Sequence, residues 1–169
     1  NVWLAQGVGD DVSFLNVFKQ RIKDCYLQKW QTDVNALSKA IHYKRFKSNL
    51  VVETYLKMDL SYTQRVTFSN FRCSGHSLMI EKGRHYDISR EDRICVYCEG
   101  YLEDELHFLL VCPLYKNLRN QYLPTYAQNK NLQTMIKLMS SDNEVFIRNL
   151  AMYIYYAFKQ RDEFLSPFE

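Results

Sequence analysis

The chain has 169 residues, 47% of them apolar and 24% charged, enough to bury a core of its own in one or two domains. No run approaches eighteen apolar residues, which excludes a membrane-spanning helix, and the opening NVWLAQGVGDD lacks the basic and apolar regions of a secretory signal. The net charge of +3 is segregated: Lys19, Arg21, Lys23, Lys29, Lys39, Lys44, Arg45 and Lys47 stand against Asp24 and Asp33, a local +6 that leaves −3 elsewhere.

In chain order, residues 11–34 read as an amphipathic helix. Phe14, Phe18, Ile22, Cys25, Tyr26 and Trp30 recur at steps of three and four, with Lys19, Lys23 and Lys29 off the stripe. Asp11 or Ser13 is the expected cap, and the aromatic stripe, with an inert Cys25, is expected to be core. The basic, aromatic SKAIHYKRFK run over 38–47 is extended or a short helix. Short helices are expected over 50–57 and over 62–73, where Val66, Phe68 and Phe71 face inward until Ser74-Gly75 breaks the pattern. LMIEKGRHYDIS, centred on Gly83, reads as loop.

Residues 103–111 look helical, and Pro113 opens a further turn through Arg119. A connection with Pro124 follows over 122–131, then helices over 132–139 and 143–164. The last carries Phe146, Leu150, Tyr153, Ile154, Ala157 and Phe158 as an apolar stripe and Asp142 as the expected cap. Strand alternation, repeats and low-complexity tracts are absent from the sequence. The expected fold class is mainly α: a helical domain with a small zinc-knuckle insert and C-terminal helices. Its segments are 1–75 (N-terminal, helical), 76–122 (knuckle) and 123–169 (C-terminal, helical), one compact unit of a longer protein.

The knuckle has the spacing Cys95-x2-Cys98-x8-His107-x4-Cys112. Two cysteines separated by two residues can turn around one ion, and three thiolates with one imidazole complete a tetrahedral zinc site that leaves no position for water or substrate. On an unbroken α-helix His107 and Cys112 would diverge by roughly 140°. Pro113 removes the conflict, because the residue before proline is pushed out of helical geometry. The site is therefore expected to be structural, with one Zn2+, in a reducing nuclear or cytoplasmic compartment. Cys73-x2-His76 has metal-like spacing too, but no second pair accompanies it.

The run from Phe71 through Tyr122 resembles the C-terminal region of non-LTR (LINE-type) retrotransposon reverse transcriptases. The resemblance rests on Arg72, His76 and Leu78, then Ile80, Glu81, Gly83 and Arg84. It continues through Arg93–Cys98, EDELHFL over 103–109, and Cys112, Pro113 and Tyr115. Upstream, FKQRIKDCYLQKW is also similar, whereas Cys73 departs from the small residue that the family pattern carries. The resemblance implies a zinc-knuckle module that holds element RNA or target DNA near the polymerase during target-primed reverse transcription, alongside the rest of the parent enzyme. No polymerase Tyr-x-Asp-Asp motif and no nuclease carboxylate set is found, so catalysis is not expected of this segment. Lys44, Arg45, Lys47, Arg72, Arg84, Arg90 and Arg93 are the candidate phosphate contacts, each weighed against an internal ion pair. The alternative is a zinc-stapled protein-interaction scaffold, including a host protein descended from such an element. An acidic run over 99–105, read as exposed beside the zinc, favours that alternative.

Overall fold

The computed structural model describes residues 11–39 and 41–166. The opening segment 1–10, Ala40, the last three residues and the side chain of Asp11 as an expected cap lie outside the described residues. Two units are separated between Ser38 and Lys39, so the segments expected to begin at residues 1, 76 and 123 are joined from Lys39 onward in one unit.

The first unit carries α1 (Asp11–Ala36). The 3.6-residue pattern does produce a helix, and Phe14 and Phe18 stack one turn apart at 6.2 Å between centroids. The expected burial of the stripe is not found. Phe14 (42%), Phe18 (45%), Ile22 (42%) and Tyr26 (66%) are exposed, as is Cys25, and Trp30 is half-buried. Val12, Leu15 and Val17 are exposed as well, so apolar groups surround the first turns instead of marking one face.

The second unit contains α2 (Tyr43–Phe46), α3 (Thr54–Lys57), α4 (Tyr62–Arg72), α5 (Met79–His85), α6 (Lys116–Tyr122), α7 (Leu132–Met139) and α8 (Glu144–Leu165). Short 3-10 turns lie at Arg90–Asp92, Pro113–Tyr115 and Thr125–Gln128. Among the described residues the extended pairing is the single antiparallel bridge Ile94–Leu102. The mainly α architecture expected from the sequence is what the chain adopts.

Helix α8 is the axis of the core, packed by α3, α4 and α6, while α7 packs α2. It buries Ile147, Leu150, Ala151, Tyr153, Ile154, Ala157 and Phe158. Phe158 and Phe108 are 4.6 Å apart between ring centroids, Phe108 and Tyr115 4.7 Å, and Phe71 and Phe108 5.5 Å. This aromatic cluster ties α4, the knuckle and α8 together, and such pairs are worth about 0.5–1.5 kcal/mol each beyond burial.

Local chemistry sets the element ends. Ser61 and Gln64 form a capping box at α4, and Asn131 caps α7. Asn143, not Asp142, caps α8 by accepting the Phe146 N–H at 2.9 Å. Ser74, at φ 51°, ends α4, and the Gly75 N–H returns to the Asn70 carbonyl. Phe68 and Phe71 point inward as expected, whereas Val66 is exposed.

The region read as loop around Gly83 is instead the helix α5. A Cβ on Gly83 would stand 2.7 Å from Arg93 Cγ. The Arg93 side chain lies across that gap, donating to the Ile80 carbonyl at 3.0 Å and to the Ile88 carbonyl at 2.8 and 3.0 Å. The glycine therefore marks a close approach between helix and side chain, not a break.

Candidate metal centre

Cys95 and Cys98 sit on a tight turn between two short extended arms. Cys95 N–H donates to the Tyr101 carbonyl at 2.8 Å and Glu103 N–H to the Arg93 carbonyl at 2.9 Å, closing the arms. At the tip the Glu99 N–H returns to the Cys95 carbonyl at 2.9 Å, with Glu99 in the left-handed region at φ 51°. That curl points both sulfurs to one side.

His107 and Cys112 come from the opposite wall, where the chain forms a π-turn over His107–Val111. Its closing bond is Cys112 N–H to the His107 carbonyl, 2.8 Å, spanning five residues. The wider turn brings residues five apart back toward one side, which an α-helix does not. Cys112 itself is extended (φ −55°, ψ 123°), as the following Pro113 requires. Widening the helix and leaving it thus both act to align the pair; the sequence indicated only the second.

The four side chains meet. Ligand atoms of Cys95, Cys98, His107 and Cys112 all lie within 4.8 Å of one another. Cys112 Sγ is 3.6 Å from Cys98 Sγ and 4.0 Å from Cys95 Sγ. Thiolates about 2.3 Å from a tetrahedral ion stand about 3.8 Å apart, so the sulfur spacing fits. Three of the four residues are buried and Cys98 is half-buried. His107 Nε2 is buried and has no hydrogen-bond partner, the state expected of a ligand nitrogen short of its ion. These residues can hold one metal ion.

The sulfurs act on one another's protonation. The Cys112 thiol hydrogen-bonded to Cys95 pulls the Cys95 thiol down to about 3 against the opposing effect of burial, with help from His107 and the amides of Tyr97 and Cys98. Cys112 is pushed up, first by that same bond with Cys95 and then by burial. Shared protons here join sulfurs that a cation would hold as thiolates.

Around this set lies a shell that the sequence did not reveal. Asp104 accepts the His107 backbone N–H at 2.8 Å, and the Tyr101 ring stacks on the imidazole at 5.6 Å. Glu103 accepts from Arg161 of α8 at 2.8 Å through both oxygens and from the Met79 N–H at 2.7 Å. The Tyr153 hydroxyl donates to the Phe108 carbonyl at 2.9 Å with the Leu109 carbonyl at 3.1 Å, and Arg119 donates to the Cys112 carbonyl. Carbonyls left over at a helix end are thereby satisfied inside the core. The motif stretch EDELHFL made Glu103 and Asp104 visible as residues but gave no partner; nothing near Arg119 or Arg161 signalled a role.

The acidic run expected to be exposed is largely internal. Glu103 and Glu105 are buried. Glu105 accepts from Ser74 at 2.8 Å and faces His76 at 3.2 Å; burial alone would raise its carboxyl, but His76 and Ser74 hold it down at about 2. His76 is thus turned to Glu105, and Cys73 is exposed. Among the described residues the metal-capable group is the Cys95–Cys98–His107–Cys112 set.

The candidate phosphate contacts divide. Lys44, Arg45 and Arg90 are exposed. Lys47, expected to be exposed, is buried against Glu53 at 2.8 Å; Arg72 is buried between Glu53 at 3.1 Å and the Met139 carbonyl at 2.6 Å, its guanidinium over the Phe46 ring. Their charges are needed inside, because a buried cation must be paired. Arg84 pairs with Glu81 at 2.7 Å, and Arg93 serves the carbonyls beside Gly83.

Comparison with protein-family models, with curated proteins and with solved structures gave no match.

Proposed function

We propose that the chain is a zinc-stapled nucleic-acid-binding module of a non-LTR (LINE-type) retrotransposon reverse transcriptase, positioning element RNA or target DNA for target-primed reverse transcription. The observation that carries the reading is the four-ligand cluster set within the motif run that resembles that family. Gly83, Arg93 and Glu103, which belong to that run, interlock with one another and, through Arg161, with α8.

Cys95, Cys98, His107 and Cys112 would hold one zinc ion. Zinc supplies folding energy there and no reaction chemistry, since three thiolates and an imidazole fill its four positions. Arg93 and Glu103 hold the arms of the Cys95–Cys98 turn, Asp104 and Tyr101 hold His107, and Tyr153 and Arg119 hold the π-turn. Thiolate ligation suits a reducing compartment, and action on genomic DNA suits the nucleus. Lys44, Arg45 and Arg90 supply phosphate contacts; Lys47 and Arg72 are structural.

A second reading, a protein-interaction scaffold, is favoured by one observation: four of the seven candidate cations are engaged internally. Fluorescence anisotropy with structured RNA and nicked duplex across a salt series separates the two. Nucleic-acid binding predicts affinity that falls steeply with salt, and a Lys44→Ala/Arg45→Ala/Arg90→Ala variant with a slope flatter by about 2–3 units. Absence of binding at low salt, or coincident slopes, favours the scaffold.

A further inference from the structure

A cleft of about 560 Å³ opens beside the π-turn, between its outer face, α6 and the Thr125–Gln128 turn. That volume lies in the range of small-ligand sites. Three cations line it, Lys116, Arg119 and Lys130, and no acidic side chain does. Among the described residues none of the three has a carboxylate partner. None of the four metal-ligand side chains lines the cleft, and neither does any of the seven cations considered above as phosphate contacts.

Arg119 is the telling residue. It is only 9% exposed, and one guanidinium nitrogen donates to the Cys112 carbonyl while Nη1 is buried with no hydrogen-bond partner. It has no carboxylate beside it, in contrast to Arg72 and Arg161, which both have glutamate partners. A cation taken out of water without a counter-charge is costly. Lys116 and Lys130 are exposed, so their charge adds to the field in the cleft without being consumed elsewhere. The remaining walls are Leu110, Val111, Pro113, Leu123 and Pro124, with Asn120 and Gln128 supplying amide groups.

We propose that this cleft binds a nucleotide through its phosphate monoester, with Arg119 as the inner anchor, Lys116 and Lys130 as outer contacts, and the proline and leucine walls against the base or sugar. Three cations with no acid suit a dianion better than a single backbone diester, and a planar fork is the group that pairs with phosphate oxygens. The same chemistry is offered by a free nucleotide and by the 5′-phosphorylated end of a nucleic-acid strand. The inference is independent of the contacts assigned to Lys44, Arg45 and Arg90.

The test uses the full zinc-loaded chain, with adenosine monophosphate, adenosine, and a short RNA carrying either a 5′-phosphate or a 5′-hydroxyl. Backbone amide shifts over residues 110–130 report where each binds, and calorimetry reports how tightly. The phosphate-bearing probes should move these amides and adenosine and the 5′-hydroxyl RNA should not; a 5′-phosphorylated RNA that outcompetes the monophosphate identifies a strand end as the source, and equal affinities identify a free nucleotide. A Lys116→Glu/Lys130→Glu variant, both positions being exposed, should keep its melting temperature and lose about tenfold or more in affinity. Arg119→Lys, which keeps the charge and removes the fork, should weaken binding when compared with wild type at equal zinc loading, a condition set because Arg119 also donates to the Cys112 carbonyl. Unmoved cleft amides, or a double variant that binds as tightly as wild type, would overturn the inference and leave Arg119 as a cap on the Cys112 carbonyl. If RNA then binds through Lys44, Arg45 and Arg90 alone, the nucleic-acid reading stands without this site.

Discussion

Helix α1 and the knuckle between residues 79 and 112 invert what their sequences suggest. The first is a long regular helix with aromatic residues at helical spacing, yet Phe14, Phe18, Ile22 and Tyr26 remain exposed. The second is short, irregular and rich in charge, yet Phe108, Leu109, Leu110 and Cys112 are fully buried. Apolar spacing specifies a helix, but burial needs a surface to receive it. The knuckle obtains that surface from α4 and α8, and polar groups outside the ligand set find partners there: Glu103 in Arg161 and Met79, the His107 backbone amide in Asp104, the π-turn carbonyls in Tyr153. Regularity and burial are separate properties of a segment.

The largest effect should therefore come from the least regular region. Cys95→Ser or His107→Ala should remove much of the metal-binding energy that is also folding energy, of which zinc-finger peptides show about 10–16 kcal/mol in total. Amide protection over residues 79–122 should collapse in hydrogen exchange. Cys25→Ser, at an exposed position on α1, should leave the exchange pattern alone. Equal responses from the two cysteines would break the comparison.

Next come changes where the knuckle meets α8. Glu103→Gln leaves Arg161 buried without its full counter-charge and should cost about 3–5 kcal/mol in denaturant unfolding. Leu150→Ala opens a cavity in a fully buried position and should cost about 2–5 kcal/mol. A cost under about 1 kcal/mol for Glu103→Gln would mean that the pair is not what fastens the two elements. Gly83→Ala should be milder, about 1–3 kcal/mol, because the added methyl meets Arg93 Cγ and the guanidinium must shift from the Ile80 and Ile88 carbonyls. The smallest effect belongs to α1: Phe18→Ala should change stability by no more than about 0.5 kcal/mol. A loss of several kcal/mol there would show that the stripe is received by a surface after all.

Much of the helical layout was legible because apolar spacing is local, and α7 falls on the residues expected of it. The caps were less legible: Asn131 was not foreseen, and α8 is capped by Asn143, one residue beyond the expected Asp142. The cluster that can hold a metal ion was legible because its spacing is itself a geometric statement. What the sequence concealed depends on partners distant in the chain. Gly83 looked like a turn because the Arg93 side chain that fills its missing Cβ lies ten residues away in a different element. Lys47 and Arg72 looked like surface charge because Glu53, which neutralises both, carries no local signal of being between them. Glu103 and Glu105 looked like a solvated acidic patch for the same reason, their partners being Arg161, Ser74 and His76. The π-turn at His107–Val111 has no sequence signature beyond the need to bring residues five apart to one ion.

Whether Cys95, Cys98, His107 and Cys112 share one zinc ion can be read from native mass spectrometry of the purified chain beside elemental analysis. One equivalent of zinc is expected, lost on acidification or with strong chelator together with the amide protection of residues 79–122, and absent from the Cys95→Ser variant. A chain that carries no zinc and keeps that protection intact would contradict it.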